Sequence, residues 1–322
     1  MRAAKYMCRR IAAGVVLMLG VSVLSFTLSS LVPGNYFDEM RLNPQVSPQT
    51  LAQLRLDYGI DETLPHRYLH WFRNALTGDF GFSFAYNMPV SSLIWQRLSN
   101  TLLLAGTATA LVWIVGVPVG IFSARFRWAN RISSLGSAAL LSVPELAVIL
   151  LLVAFFVRMG TMPLGGIVEG NGNAAGWSRI GATGLHLLIP VLALTIVGLP
   201  IVLQHTSTAM KEVLEATFIQ AARGHGISPA RLLLRHALPA AANPLISLFG
   251  LSLAALIGTS LLAEVVTGWP GLGPLFVQSI FARDFYVVIA IVMLSSLFLI
   301  AGNLVGDLLL FAADPRIRRT NS

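Results

Sequence analysis

The stretch RLSNTLLLAGTATALVWIVGVPVGIFSAR (residues 97–125) carries no charge between its two flanking arginines. A helix rises about 1.5 Å per residue, so roughly 20 such residues cross the hydrocarbon core of a bilayer, and this run is long enough to do so. Four more stretches pass the same test, between Arg10 and Asp38, Arg179 and Lys211, Arg235 and Glu264, and Asp284 and Asp307. A further one, 132–157, is equally apolar apart from Glu145. Together they predict helices near 11–32, 101–123, 133–157, 184–205, 244–266 and 286–308, an all-α polytopic membrane protein of six spans. The whole composition agrees, with 55% apolar and only 11% charged residues among 322. Such a balance suits lipid rather than water as solvent.

The formal charge of +8 does not point to nucleic acid, because the basic residues are scattered between apolar runs rather than gathered into a stripe. They report topology instead. Arg2, Lys5, Arg9 and Arg10, then Arg125, Arg127 and Arg131, then Lys211, Arg223, Arg231 and Arg235, and finally Arg316, Arg318 and Arg319 all fall on one side of the six spans. The short loops opposite carry only Arg158, Arg179 and Arg283. The positive-inside rule makes the rich side, with both termini, cytoplasmic. The first run is too long for a secretory signal and lacks a small-x-small cleavage site, so it is expected to be retained as a span. The single cysteine, Cys8, permits no intrachain disulfide and no thiolate metal cluster.

By alternation the long segment 33–100 lies outside, and the expected organisation is 1–32 (cytoplasmic start and first span), 33–100 (outer helical segment), 101–308 (five-helix core, with a cytoplasmic loop at 207–243) and 309–322 (cytoplasmic tail). Within the outer segment Tyr68, Leu69, Trp71, Phe72 and Leu76 follow a helical rhythm between Pro65 and Gly78. His66 and His70 have the spacing of two metal ligands but no third companion, so a solvated helix face is the expected reading and no metal site is assigned. Pro118, Pro144, Pro190 and Pro200 interrupt spans, and Gly116 and Gly120 stand at GxxxG spacing. These features serve close helix packing in static bundles and in bundles that change shape.

Several chemistries lack their anchors. The only lysines, Lys5 and Lys211, do not follow a GxxxxGK loop, and there is no HExxH or GxSxG. The informative stretch is MKEVLEATFIQAARGHGISPARLLLRHALPAAANP (residues 210–244). Its composition predicts a helix over 210–223, a stop at Gly224 and Gly226, a cap at Ser228, Pro229 in the next first turn, and Pro239 closing that second helix. On local physics alone this is a helix, a tight turn and a helix lying at the membrane surface.

Gln220-Ala221-Ala222, then Gly226, then Leu238-Pro239 resembles the EAA loop of ABC-importer permeases, and LLLRHALP is similar to its peptide-transporter version. Other stretches extend the resemblance: RRIAAGVVLMLGVSVLSFTLSSLVPGN to the family's first span, YGIDETLPHRYLHWFRNALTGDFGFSF to its outer segment, AEVVTGWPGLGPLFVQSIFARDFYVV to the turn into the last span, and DPRIR to the cytoplasmic end. They stand in the family's order, so the chain is identified as similar to the first permease of the dipeptide, oligopeptide and nickel class, with a type I importer permease fold. The resemblance implies that Gln220, Ala221, Ala222, Gly226, Leu238 and Pro239 form the loop that docks on an ATPase. It implies no cofactor on this chain, with ATP and Mg held by two ABC ATPase subunits. It further implies a homologous second permease, an extracytoplasmic substrate-binding protein, and a bacterial inner-membrane location. Gln220 departs from the pattern, which nominally has Glu there.

Ionisable residues in spans are costly and become functional candidates by default. Glu145 is the deepest, with two readings: a water-filled pathway that meets a cationic or N-terminal group, or a partner helix. Glu264 and Asp307 sit at span ends, coincide with positions typically acidic in the resembling family, and are expected to be structural. His186 and His205 are expected near the interface. Two competing functions, a secondary transporter and a six-span membrane enzyme, lack respectively two related halves with broken midplane helices and a polar pair within the spans.

Overall fold

The computed structural model describes residues 2–31, 63–160 and 176–313. Among the described residues, five helices are long and apolar enough to span a membrane: α1 (Arg2–Leu31), α3 (Val90–Arg125), α6 (Gly176–Glu215), α10 (Ala242–Thr267) and α12 (Phe285–Ala313). Shorter helices are α2 (Leu64–Ala75), α4 (Arg127–Leu141), α5 (Glu145–Arg158), α7 (Thr217–Gly224) and α11 (Leu272–Phe281). Two very short ones, α8 (Pro229–Arg231) and α9 (Leu238–Ala240), flank a π-helical turn over Leu232–Ala237. A two-residue antiparallel ribbon, β1 (Phe82–Ser83) with β2 (Met88–Pro89), is a β element that the all-helical expectation did not include.

The helix expected near 133–157, with its interruption at Pro144, is two helices: α4 and α5 meet at 96°, and only together would they make a sixth span. Pro144 is the reason. Its ring fixes φ and removes a donor, so it sits outside the regular ladder as the N-cap of α5, with ψ 137°. Ala147 and Val148 then donate to its carbonyl at 2.9 and 3.2 Å to start the new helix.

The chain divides into two compact units. The first comprises Met1–Met7, Thr101–Trp269 and Phe298–Ser322. Its core joins Leu104, Ala108 and Val112 of α3, Ile149 of α5, Val191, Leu194 and Val202 of α6, and Leu248 and Leu256 of α10. Close backbone approach is built in at glycines. A Cβ on Gly120 would stand 2.7 Å from Thr206 Cβ and 2.9 Å from the Leu203 carbonyl, so the GxxxG pair of α3 is a seat for α6. A Cβ on Gly250 would meet the Gly302 carbonyl at 2.6 Å and Gly306 Cα at 2.9 Å, so α10 and α12 cross glycine on glycine.

The second unit comprises Cys8–Asn100 and Pro270–Leu297. The helix expected between Pro65 and Gly78 is present as α2, although 33–62 lie outside the described residues. Its Trp71 is buried beside Phe26 of α1 and donates from Nε1 to the Phe80 carbonyl at 3.2 Å, while the hydroxyls of Tyr68 and Ser22 meet at 2.9 Å. The ribbon is held by Asp284, whose Oδ2 accepts from Ser83 Oγ at 2.6 Å and from the Ala85 N–H at 3.2 Å. Burial raises the Asp284 carboxyl above its ordinary range, and these donors oppose the rise only in part.

Candidate functional site

The loop after α6 is built around an elbow. The expected helix over 210–223 is corrected, because α6 runs on to Glu215 and Ala216 turns to extended backbone (φ −65°, ψ 144°) before α7 begins. The free carbonyl of Ala216 starts α7 by accepting from Ile219 and Gln220 at 3.0 and 3.2 Å. Gln220 Nε2 reaches back across the elbow and donates to the Glu215 carbonyl at 3.0 Å. A helix end leaves its last carbonyls without intrahelical partners, and here a side-chain amide supplies one. A carboxylate at the same position could accept but not donate, which gives Gln at 220 a physical reason.

The end of α7 is a Schellman motif. Gly226 donates to the Arg223 carbonyl at 3.0 Å and Ile227 to the Ala222 carbonyl at 3.4 Å, with Gly226 left-handed at φ +78°. Nothing lies within 4 Å of a Cβ built on Gly226, so the glycine is required by backbone conformation rather than by crowding. Ser228 occupies the N-cap position of the following turn and Pro229 its first position, as expected, but the Ser228 side chain makes no cap hydrogen bond. Its carbonyl accepts from Leu232 at 2.9 Å instead.

Pro239 does not close the second helix. It stands at the start of α9, and the turn before it is widened: Leu238 N–H bonds the Leu233 carbonyl, a π-helical step. A proline within a helix has no N–H to give and its ring crowds the carbonyl four residues back, and a wider turn relieves both demands.

Burial divides the six expected loop residues into two groups. Ala222 and Leu238 pack against a cluster of Met210, Ile219, Leu232, Ala237 and Ala241, joined by Ile121 and Ala124 of α3. Gln220, Ala221, Gly226 and Pro239 are exposed. Sequence reasoning missed Phe218, which is 52% exposed and one turn before Ala221 on α7. An aromatic three residues before a small residue, beside the buried Ile219, is the pattern that would have revealed it. Also missed was Asn130 of α4, whose Oδ1 accepts from Lys211 Nζ in the last turns of α6.

The acidic candidates occupy three different environments. Glu145 lies in the first turn of α5, half-buried, where its Oε2 accepts from Thr259 Oγ1 of α10 at 3.3 Å. Glu264 is fully buried in the last turn but one of α10, at 0% exposure. Asp307 is half-buried on α12. Among the described residues, no three His, Cys, Asp or Glu side chains gather as a metal ion would need.

Comparisons with known proteins agree with this architecture. Residues 116–319 match the family of binding-protein-dependent transport system inner membrane components, and residues 3–105 match the N-terminal model of binding-protein-dependent transport system membrane components. The chain is 33% identical over 318 residues to the oligopeptide transport system permease protein AppB of Bacillus subtilis (strain 168), covering 98% of this chain and 99% of that protein. It is 34% identical over 320 residues to the glutathione transport system permease protein GsiC of Escherichia coli (strain K12), covering 97% and 98%. Among solved structures, a chain of the inward-facing MetNI methionine ABC transporter shares the fold, with a TM-score of 0.53 at 18% identity over 69% of this chain and 96% of that one. A multi-pass helical chain with these matches along nearly its whole length belongs to the binding-protein-dependent transport system inner membrane components and is the permease subunit of an ABC importer.

Proposed function

We propose that this permease imports di- and oligopeptides or related small solutes and forms half of the pathway with a homologous second permease. The names of its oligopeptide and glutathione relatives support the substrate class. Two ATPase subunits on the cytoplasmic side bind ATP and Mg, this chain binds neither, and an extracytoplasmic binding protein delivers the solute. The basic loops support cytoplasmic termini in the bacterial inner membrane, with 33–100 outside, 101–308 as the membrane core and 309–322 as a cytoplasmic tail.

The observation that carries the reading is α7 itself: an eight-residue helix anchored by the buried Ile219 and presenting Phe218, Gln220 and Ala221 outward. That surface is the docking face for an ATPase, with Ala222, Gly226, Leu238 and Pro239 fixing its position. Closure of the ATPases on ATP favours one of two packings of the bundle and release favours the other. Glu145 faces the pathway, and Glu264 and Asp307 hold helices together.

The test is uptake of labelled trialanine by the complete transporter in proteoliposomes, with ATP hydrolysis measured in parallel. Import that requires ATP and is lost on changing the face of α7 is the expected result. Import that persists without ATP would instead identify a secondary transporter.

A further inference from the structure

Residues 142–144, between α4 and α5, form the bend of the broken span, and all three are exposed in this chain. Non-helical backbone at membrane depth is tolerated only inside protein or beside water; here the N–H groups of Ser142 and Val143 bond the Ala138 and Leu140 carbonyls at 3.1 and 3.2 Å and Pro144 has none, so the demand falls on the carbonyls, for which lipid offers no donor. Glu145 follows at once, half-buried, and a carboxylate in a span has the same requirement. Two features that lipid rejects therefore stand side by side on one surface. Among the described residues, the side-chain donor to Glu145 is the Thr259 hydroxyl, at Oε2, which leaves Oε1 for another donor. A metal ion would need more ligands than one carboxylate and one hydroxyl, and among the described residues no third His, Cys, Asp or Glu joins them.

We infer that Glu145, steadied by Thr259 at the bend between α4 and α5, is a specificity-determining residue that receives the primary ammonium group of the passing solute. The inference rests on the reading that Glu145 faces the pathway. An ammonium group carries three donors and no acceptor, so it complements a carboxylate oxygen and a hydroxyl lone pair held together. An anionic solute would meet like charge at the same point.

This chain has a single cysteine, so comparison of Glu145→Cys with its Cys8→Ser parent in the same assembly isolates modification at position 145 from that of any other subunit. In the complete transporter carrying Cys8→Ser, Glu145→Cys is expected to slow trialanine uptake about tenfold, a loss equal to one charge-assisted contact. Sulfonatoethyl methanethiosulfonate, which returns a negative charge to the position, should restore uptake, whereas the trimethylammonium-ethyl reagent should not. Glu145→Asp should keep most of the rate. Failure of both water-soluble reagents to react would mean that the residue is buried against a partner helix, and equal effects of the two would mean that its charge is irrelevant. Either outcome overturns the inference and leaves peptide import standing. A Cys8→Ser parent that hydrolyses ATP but imports no trialanine overturns the peptide reading and the inference with it.

Discussion

The side-chain amide of Gln220 donates to the backbone carbonyl of Glu215 at 3.0 Å, across an elbow of one extended residue, Ala216. The bond ties α7 to the end of the long helix α6. Gln220→Glu removes the donor and brings a second carboxylate close to Glu215. Both groups are exposed, so loss of this one hydrogen bond should lower thermal stability by no more than about 1 kcal/mol. Transport should be more sensitive: loss of a contact worth roughly 1 kcal/mol lowers the ratio of solute imported to ATP hydrolysed about fivefold. Unchanged stoichiometry in proteoliposomes would remove the tie from the proposed coupling.

Gly226 and Ala222 test the C-terminal end of the same helix in different ways. Gly226→Ala has open space around it, so its cost is the left-handed backbone alone, about 1 kcal/mol. Gly226→Pro also forfeits the N–H that closes the Schellman motif on Arg223. Ala222→Glu puts a carboxylate against an apolar cluster with no partner built for it. Both Gly226→Pro and Ala222→Glu should insert into the membrane normally and hydrolyse ATP without importing solute. Normal uptake by both would sink the docking-loop reading.

The contact of Gly250 with Gly302 and Gly306 makes a steric prediction. At 2.6 Å from a backbone carbonyl, the new methyl of Gly250→Ala has no flexible neighbour to push aside, so the helices must separate. Overpacking of this kind costs typically 1–3 kcal/mol. Gly258→Ala on the same helix, with nothing within 4 Å, is the control. The Gly250 variant should melt several degrees below the control in detergent, and matching melting curves would refute the close crossing.

Asp284 gives the second unit a pH dependence whose sign follows from burial. Its carboxyl is raised above the unfolded value of 3.8, so the folded form holds the proton more tightly than the unfolded chain does. The contribution to stability is fully present below the unfolded value and is lost as pH rises through the folded one. Amide exchange in the ribbon around Ser83 and Ala85 should therefore quicken as pH rises above about 4, after correction for intrinsic rates. Asp284→Asn, which still accepts from both donors, should flatten that dependence.

How much of this was legible depended on whether a feature is encoded locally. The charge-free run between Arg97 and Arg125 is sufficient for a span, and α3 contains it. Pro144 marks the interruption, but no local residue states the 96° angle at which α4 and α5 meet. The elbow at Ala216 was invisible, since alanine is the best of helix formers and neither glycine nor proline stands there. Ser83 and Asp284 meet from 201 residues apart, and the glycines of α12 acquire meaning only through Gly250 on α10. In the candidate site, the motif residues were readable by spacing, whereas the exposure of Phe218 and the back-bond of Gln220 follow from the elbow.

The shared cluster of Ile219 and Met210 has a mechanical consequence. The short helix α7 is about 12 Å long at 1.5 Å per residue, and its underside is embedded in the same apolar mass as the end of α6. Pivoting it independently would open a void beneath Ile219, at a cost comparable to truncating a buried Ile, about 2–5 kcal/mol. A push on Phe218 is therefore delivered to α6 with little slack, as by a short crank keyed to its shaft.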